Sequence, residues 1–351
     1  MSVAYIDWLD EILDPRRPGL AMLAVASCPG LGLGLEAAGF SLAVTVEGGK
    51  ASTETTEANF PMTRVLRAPL SSVSAEEVLE VTRATISLIC AVIHPSDLAG
   101  LRLRGGDARD KLEALGRLTR ELEPSAFLVN VQYRRTSMAV NEAVESVLTE
   151  LRRRTKYALH HQTVNSADFG VPQMRQSTVV VGLRHSTPFR FPDTTHSQDD
   201  QKRLPWVSSE SALAKLGCAS GHTLRRHRPG TQSRYKSVKP GTRDKVDSSL
   251  RLHPRRPSPR LCAFANRGGA IAHIHPLEGR AITPRESARL QSFPDWFGFE
   301  GTNTEQYRQV GLSTPPLVAR SIGVAVLEAI RYQTETNPTQ LAALEVSKHR
   351  P

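Results

Sequence analysis

Cysteine is scarce in this chain: four in 351 residues, at Cys28, Cys90, Cys218 and Cys262, far apart and with no C-x-x-C pair. That spacing excludes a cysteine-built zinc module and a disulfide framework, and it predicts reduced thiols. No apolar run approaches the roughly 18 residues that a membrane-spanning helix needs. The N-terminus, MSVAYIDWLDEILDPRR, also lacks a basic start followed by an apolar stretch. The expectation is a cytoplasmic protein without a membrane partner, associated with the nucleoid if the source is bacterial. Hydrophobic residues make up 39% of the chain, enough for a real core in one large domain or two of ordinary size.

Acidic residues are nearly missing from one stretch. Between Gln201 and Arg260 stand 15 Lys and Arg against three acids, Glu210, Asp244 and Asp247. This stretch carries a net +12 within a chain of net +10, so the remainder is close to neutral, at −2. It includes HTLRRHRPGTQSRYKSVKPGTRDK, rich in Pro, Gly and His and without hydrophobic periodicity. A loop-rich basic surface of this kind binds phosphates by releasing their counterions. A solvated charged insert is the alternative.

What is present elsewhere is alternation. LAMLAVAS, FSLAVTVE, ATISLICAVI, SAFLVNVQ and STVVVGLR read as strands, while EEVLEVTRA, RDKLEALGRLTRELE and MAVNEAVESVLTELRRRT carry apolar residues at helical spacing. Such alternation predicts an α/β protein with a mostly parallel sheet covered by helices. PPLVARSIGVAVLEAIRYQ predicts a closing helix that packs on the sheet. In AITPRESARLQSF, Thr283, Pro284 and Glu286 form a helix start with a capping box.

Two loops are placed for chemistry. VASCPGLGLGLEAAGF follows the first strand and opens a helix; glycines at 30, 32 and 34 suit a backbone turn close to a cofactor, and Glu47 ends the next strand. A nicotinamide dinucleotide, S-adenosylmethionine and a plain tight turn all remain open at this point. CAVIHPSDLAG breaks a buried strand at His94-Pro95, where an α/β sheet holds its reacting groups.

Later segments narrow the choice. GFSLAVTVEGGKASTETTEANFP, NSADFGVPQMRQSTVVVGLR, HPLEGRAITPRESARLQSFPDWFGFEG and YRQVGLSTPPLVARSIGVAV, in this order, resemble the DNA cytosine-5 methyltransferase (Dcm-like) family over nearly the whole chain apart from the basic stretch. The resemblance implies a Rossmann-like S-adenosylmethionine-dependent methyltransferase fold with a small basic target-recognition domain. The expected division is a large domain over 1–190, a small DNA-recognition domain over 191–304 holding the basic segment 201–260, a helical return over 305–336, and a loose tail over 337–351. Double-stranded DNA is the implied partner, with a protein partner or homo-oligomer alongside.

Against that family the chain departs where chemistry occurs. The family's P-P-C-Q-x-F-S-x-A-G loop, laid without gaps on AVIHPSDLAG, puts Ile93 at the nucleophilic cysteine; sliding the frame gives Ser96, a hydroxyl with no evident base. Val129 stands for the Glu of E-N-V, Ser177 for the second Arg of Q-x-R-x-R, Leu23 for an Asp, and Ser27 and Pro29 for two glycines. Pro29 removes a backbone donor. Pro69 and Leu312 replace an Asp and an Asn near the cofactor. Cys90 reads as a small hydrophobe inside its strand, and His94, Ser96 and Asp97 lie too close in one loop for a hydrolase triad.

The resulting expectation is a degenerate, catalytically inactive member with no resident cofactor, or S-adenosylmethionine if the pocket survives. Gly30, Gly32 and Glu47 would be vestigial cofactor positions, Glu47 serving as a surface carboxylate. Arg225, Arg226, Arg228, Arg234, Lys236, Lys239 and Arg243 would meet DNA, with Gln173 and Arg175 either joining them or tying strands together. An active methyltransferase with an unorthodox nucleophile or a partner chain is the alternative, and a dinucleotide-dependent oxidoreductase the remote one.

Overall fold

A computed structural model describes residues 2–14, 19–25, 29–94, 107–133, 138–185, 187–216, 222, 224, 227–261 and 273–336. The chain forms two compact units, one of Met1–Asp14, Asn165–Arg175 and Asp193–Val318, the other of Pro15–Val164, Gln176–Pro192 and Ala319–Pro351. These units are discontinuous in sequence, whereas the division expected from sequence is continuous over 1–190 and 191–304. Three separate segments make the first unit because they pack on one another: helix α1 (Ser2–Ile12) buries Leu9, and Tyr5 donates its hydroxyl to Gly170 O at 3.1 Å. Trp206 Nε1 donates to Asp168 Oδ1 at 2.9 Å in the same way.

The second unit holds a seven-stranded sheet in the order β3-β2-β1-β4-β5-β8-β6. Its strands are β1 (Leu20–Val25), β2 (Phe40–Val46), β3 (Arg64–Leu66), β4 (Leu88–Ile93), β5 (Ala126–Gln132), β6 (Ala158–Asn165) and β8 (Gln176–Leu183). The first five are parallel, and β8 runs antiparallel to β5. Every residue of β4 and β5 is buried, as expected of central strands covered on both faces. Helices α2 (Pro29–Ala38), α3 (Lys50–Asn59), α4 (Ala75–Thr82), α5 (Asp107–Leu122) and α6 (Met138–Arg154) connect them. The order reverses between β1 and β4, so the carboxyl ends of these strands form the crevice where such sheets bind ligands.

Among the described residues the first unit contains only short strand pairs: β7 (Gln173–Met174) with β12 (Ser258–Pro259), β9 (His196–Ser197) with β10 (Leu204–Pro205), and β11 (Leu250–Arg251) with β13 (His273–Ile274). Its further helices are α7 (Ser209–Leu213), α8 (Pro229–Ser237), α9 (Pro284–Leu290) and α10 (Asn303–Leu312). The expected capping box starts α9, with Thr283 accepting from Glu286 N and Glu286 accepting from Thr283 N. After it, Phe293, Phe297 and Phe299 cluster with centroids 4.9 to 5.3 Å apart, Phe293 and Phe299 edge to face and the other two pairs tilted.

The closing helix is α11 (Pro316–Thr336). With α10 it forms a helical stretch apolar enough by composition to cross a membrane, which the sequence reading did not anticipate; 72% of that window is buried inside the protein, as in a core helix.

Packing is tight where β5 meets β8. Phe127 lies directly opposite Gly182, and a Cβ added at Gly182 would stand 2.2 Å from the Phe127 ring. Gly182→Ala should therefore lower stability by about 1–3 kcal/mol through overpacking. A denaturant titration of the two proteins checks this, and equal midpoints would contradict the contact.

Candidate functional site

Ile93 and Val129 occupy the central pair of strands. Ala91 pairs with Val129 and Ile93 with Val131, and both Ile93 and Val129 are 0% exposed. Alternation along each strand places Ile89, Ala91 and Ile93 on one face with Phe127, Val129 and Val131. All six belong to a single apolar cluster with Leu112, Leu115 and Leu118 of α5 and Val144, Val147 and Leu151 of α6. A thiolate or carboxylate at either position would have to ionise inside that cluster, at a high desolvation cost. Leu23, in β1, belongs to the same cluster.

Cys90 is a buried free thiol within β4, on the opposite face from Ile93, consistent with a packing role. Ser177 is buried in β8 opposite Gln132. Ser27, Ser96 and Asp97 lie outside the described residues.

At the carboxyl ends of β2 and β3 lies a cavity of about 540 Å³ lined by Glu47, Gly48, Gly49, Lys50, Arg67 and Pro69 among others. Glu47 corrects the expectation of a surface carboxylate. It is 2% exposed, its backbone N–H donates to Leu66 O at 2.9 Å, and its Oε1 accepts from Thr56 Oγ1 at 3.1 Å. A buried carboxylate facing a cavity at the end of the second strand suits the hydroxyls of a ribose. The residues present therefore fit the ribose of S-adenosylmethionine.

The glycines do not form the expected loop. Gly30 and Gly32 are buried within α2, and a Cβ at Gly32 would stand 3.3 Å from Leu42 and 3.5 Å from Phe60. At Gly32 the missing side chain lets α2 pack close to β2. Pro29 begins α2 and contributes no N–H there. Leu312 is half-buried at the end of α10.

The basic unit sorts its cations by burial. Gln173 is 0% and Arg175 2% exposed, so neither belongs to a DNA-facing surface, and their assignment there is corrected. Arg175 donates to Gln291 Oε1 at 3.0 Å and Gly311 O at 3.1 Å; Gln173 donates to Leu290 O and accepts from Leu261 N. They tie strand β7 to the segments around α9 and α10. Burial, with the charge of Arg260 second, holds the Arg175 guanidinium well below its ordinary pKa.

Arg234 is also committed, paired with Asp244 and Asp247. Arg251 caps the end of α8 through Lys236 O and Val238 O, and Arg280 pairs with Glu278 and Glu286. Arg289 grips Asp295. By contrast Arg228, Lys236, Lys239 and Arg243 are exposed, as are Lys245, Arg255 and Arg256. Arg225 and Arg226 lie outside the described residues. Sequence charge alone did not reveal this division, nor the buried Arg280–Glu286 pair, although the alternating Glu278, Arg280 and Glu286 around the capping box hinted at it. Among the described residues no cluster of His, Cys, Asp and Glu could hold a metal ion.

These features define a class: a doubly wound sheet with a cavity at the carboxyl ends of its strands, in a chain whose other unit carries the basic segment 201–260. A family model for C-5 cytosine-specific DNA methylases matches residues 24–328, and the chain belongs to that family. It is 27% identical to the type II methyltransferase M.XorII of Xanthomonas oryzae pv. oryzae, over 94% of this chain and 88% of that protein. It is 29% identical to the type II methyltransferase M1.HphI of Haemophilus parahaemolyticus, over 85% and 84%. A crystal structure from E. coli, described as a prophage-encoded DNA modification methyltransferase, superposes with a TM-score of 0.73 at 24% identity, covering 89% of this chain and all of that one. The fold is thus the Rossmann-like fold of S-adenosylmethionine-dependent methyltransferases.

Replacing Arg175 with Met should cost about 1–3 kcal/mol, because it takes the buried donor from Gly311 O and leaves Gln291 Oε1 only the 3.4 Å bond from Gln173 Nε2. Thermal unfolding of the variant measures this, and an unchanged midpoint would refute the bracing role.

His273 supplies a pH dependence. Burial, helped by the charge of Arg243, lowers its pKa to about 4. An unfolded His titrates near 6.5, so the unfolded chain takes up this proton first. Stability should be full above about pH 6.5 and fall by on the order of 3 kcal/mol as pH drops toward 4. Urea midpoints at pH 7 and pH 5 measure the slope, which His273→Asn should flatten.

Proposed function

We propose that this protein is a catalytically inactive cytosine-5 methyltransferase homologue that binds double-stranded DNA as a regulatory factor or subunit, in the cytoplasm and, in a bacterium, on the nucleoid. The observation that carries the reading is the state of Ile93 and Val129. The positions matching the family's thiolate and glutamate hold two side chains that cannot ionise, both 0% exposed in one apolar cluster. Attack on carbon 6 of a cytosine needs a thiolate, and protonation of the ring nitrogen needs a carboxyl group. DNA binding draws its support from the exposed Arg228, Lys236 and Lys239 on a segment that carries a net +12.

A second reading, an active methyltransferase whose nucleophile comes from elsewhere, is favoured by the cavity at Glu47. That cavity also favours a retained ligand: S-adenosylmethionine would place its ribose on Glu47 and would bring a transferable methyl group. The expectation of no cofactor gives way here to binding without transfer.

One experiment separates the readings. The purified protein is incubated with duplex DNA and S-adenosylmethionine labelled in the methyl group. No label should enter DNA, while the ligand should raise the melting temperature, and Glu47→Gln should abolish that rise. Formation of 5-methylcytosine would establish the second reading. Charge reversal at Arg228, Lys236 and Lys239 together should weaken duplex binding by at least about tenfold at low salt; unchanged affinity would move the DNA site elsewhere.

A further inference from the structure

The turn at residues 243–248 is built more firmly than a solvent loop requires. Gly241 N–H donates to Arg251 O at 2.8 Å, Arg251 N–H donates to Thr242 O at 2.9 Å, and Arg243 bridges Leu250, so the turn stands on a short hairpin. Within it, Asp244 Oδ2 accepts the Val246 and Asp247 N–H groups at 3.0 and 2.9 Å. Two neighbours on α8 clamp both carboxylates. Arg234 lies 3.2 Å from Asp244 and 2.8 Å from Asp247, and the Tyr235 hydroxyl donates to Asp247 at 2.7 Å. Burial would raise the Asp247 carboxyl, yet hydrogen bonds from Tyr235 and Ser249 outweigh it and hold the group at about 2, so the clamp stays ionised at physiological pH.

At the centre of this turn is Val246, 71% exposed. A single exposed valine is ordinary. Here the valine is stiff at χ1, its backbone is pinned, and two exposed cations stand in the same turn: Lys245 beside it, and Arg243, whose Nη1 donates to Ser248 O at 2.7 Å and leaves its other N–H groups for solvent. Such a side chain meets a ligand with little entropy left to lose.

We propose that Val246 presents its methyl groups to the 5-methyl group of a pyrimidine in the major groove of duplex DNA, with Arg243 and Lys245 on the adjacent phosphates. Phosphate contacts position a protein and apolar contacts with a base methyl specify sequence. The proposal rests on the DNA-binding reading above and names the part of that surface that reads bases. Thymine and 5-methylcytosine both carry the methyl group.

The test is selection of bound duplexes by the full-length protein from three random pools: one ordinary, one with deoxyuridine for thymidine, and one with 5-methyldeoxycytidine for deoxycytidine. At one position wild type should prefer the methylated pyrimidine by about fourfold, the worth of one buried methyl. Thymine as the target loses that preference in the deoxyuridine pool; 5-methylcytosine as the target gains it in the third pool. Val246→Ser should lack the preference, Val246→Ile should keep it, and both should show the wild-type salt dependence. Arg243→Ala with Lys245→Ala should weaken all sequences alike and reduce the salt slope by about two. Wild-type preferences surviving in Val246→Ser, or indifferent to the 5-methyl group in every pool, would overturn this proposal alone. A wild-type protein that binds no duplex would overturn the DNA-binding reading, and this one with it.

Discussion

The sheet depends on one contact, the pairing of β4 with β5 over a face that is apolar from end to end. Ile89, Ala91 and Ile93 meet Phe127, Val129 and Val131, and α5 and α6 close over them. Burial of that apolar face contributes to the stability of the unit in proportion to the area taken from water. The same positions are where the family sets its thiolate and glutamate, so scaffold and chemistry compete for the same face. In this chain the competition is resolved toward the scaffold. An ionisable pair there would face desolvation that a Val and an Ile avoid.

The legible parts of the fold were those with strong periodicity. The fully buried strands and the long helices of the sheet unit stand where their apolar patterns placed them, to within a few residues at each end. β6 was not legible, because ALHHQTVN is polar and half-exposed, as an outer strand can be. Helix α3 was hidden for a related reason: KASTETTEAN turns threonines, not aliphatic residues, toward the core. The glycines misled because a Gly-rich segment after a strand has two physical uses, a turn around a ligand or a helix packed close, and Phe60 and Leu42 decide for the second. Neighbours distant in sequence supply that decision.

Charge was legible in amount but not in use. An arginine buried against carbonyls and a lysine in solvent count alike in a sum, yet their physics is opposite. Arg285, donating to Pro294 O and Phe297 O, and Arg251, capping α8, hold the basic unit together. Planar guanidinium groups serve that purpose well, since one side chain can satisfy several carbonyls at fixed angles. Arginines spent on carbonyls in this way are not left to act on solvent. A net charge read from sequence therefore sets an upper bound on the field that a polyanion meets.

Glu47 and the Ile93–Val129 pair are separated within the sheet, and this separation matters for how binding and chemistry can part. The carboxylate stands at the end of β2 and leans on β3, whereas Ile93 and Val129 belong to β4 and β5, with β1 between the two pairs. Aliphatic side chains there avoid a buried charge in β4 and β5 and leave the lining of the cavity at Glu47 untouched. Nothing in the packing of β2 against β3 requires an ionisable group two strands away. The cost of keeping a nucleoside pocket is thus independent of the cost of keeping a nucleophile. Such a sheet can lose methyl transfer while retaining the capacity to sense a nucleoside ligand, because the two functions draw on different strands.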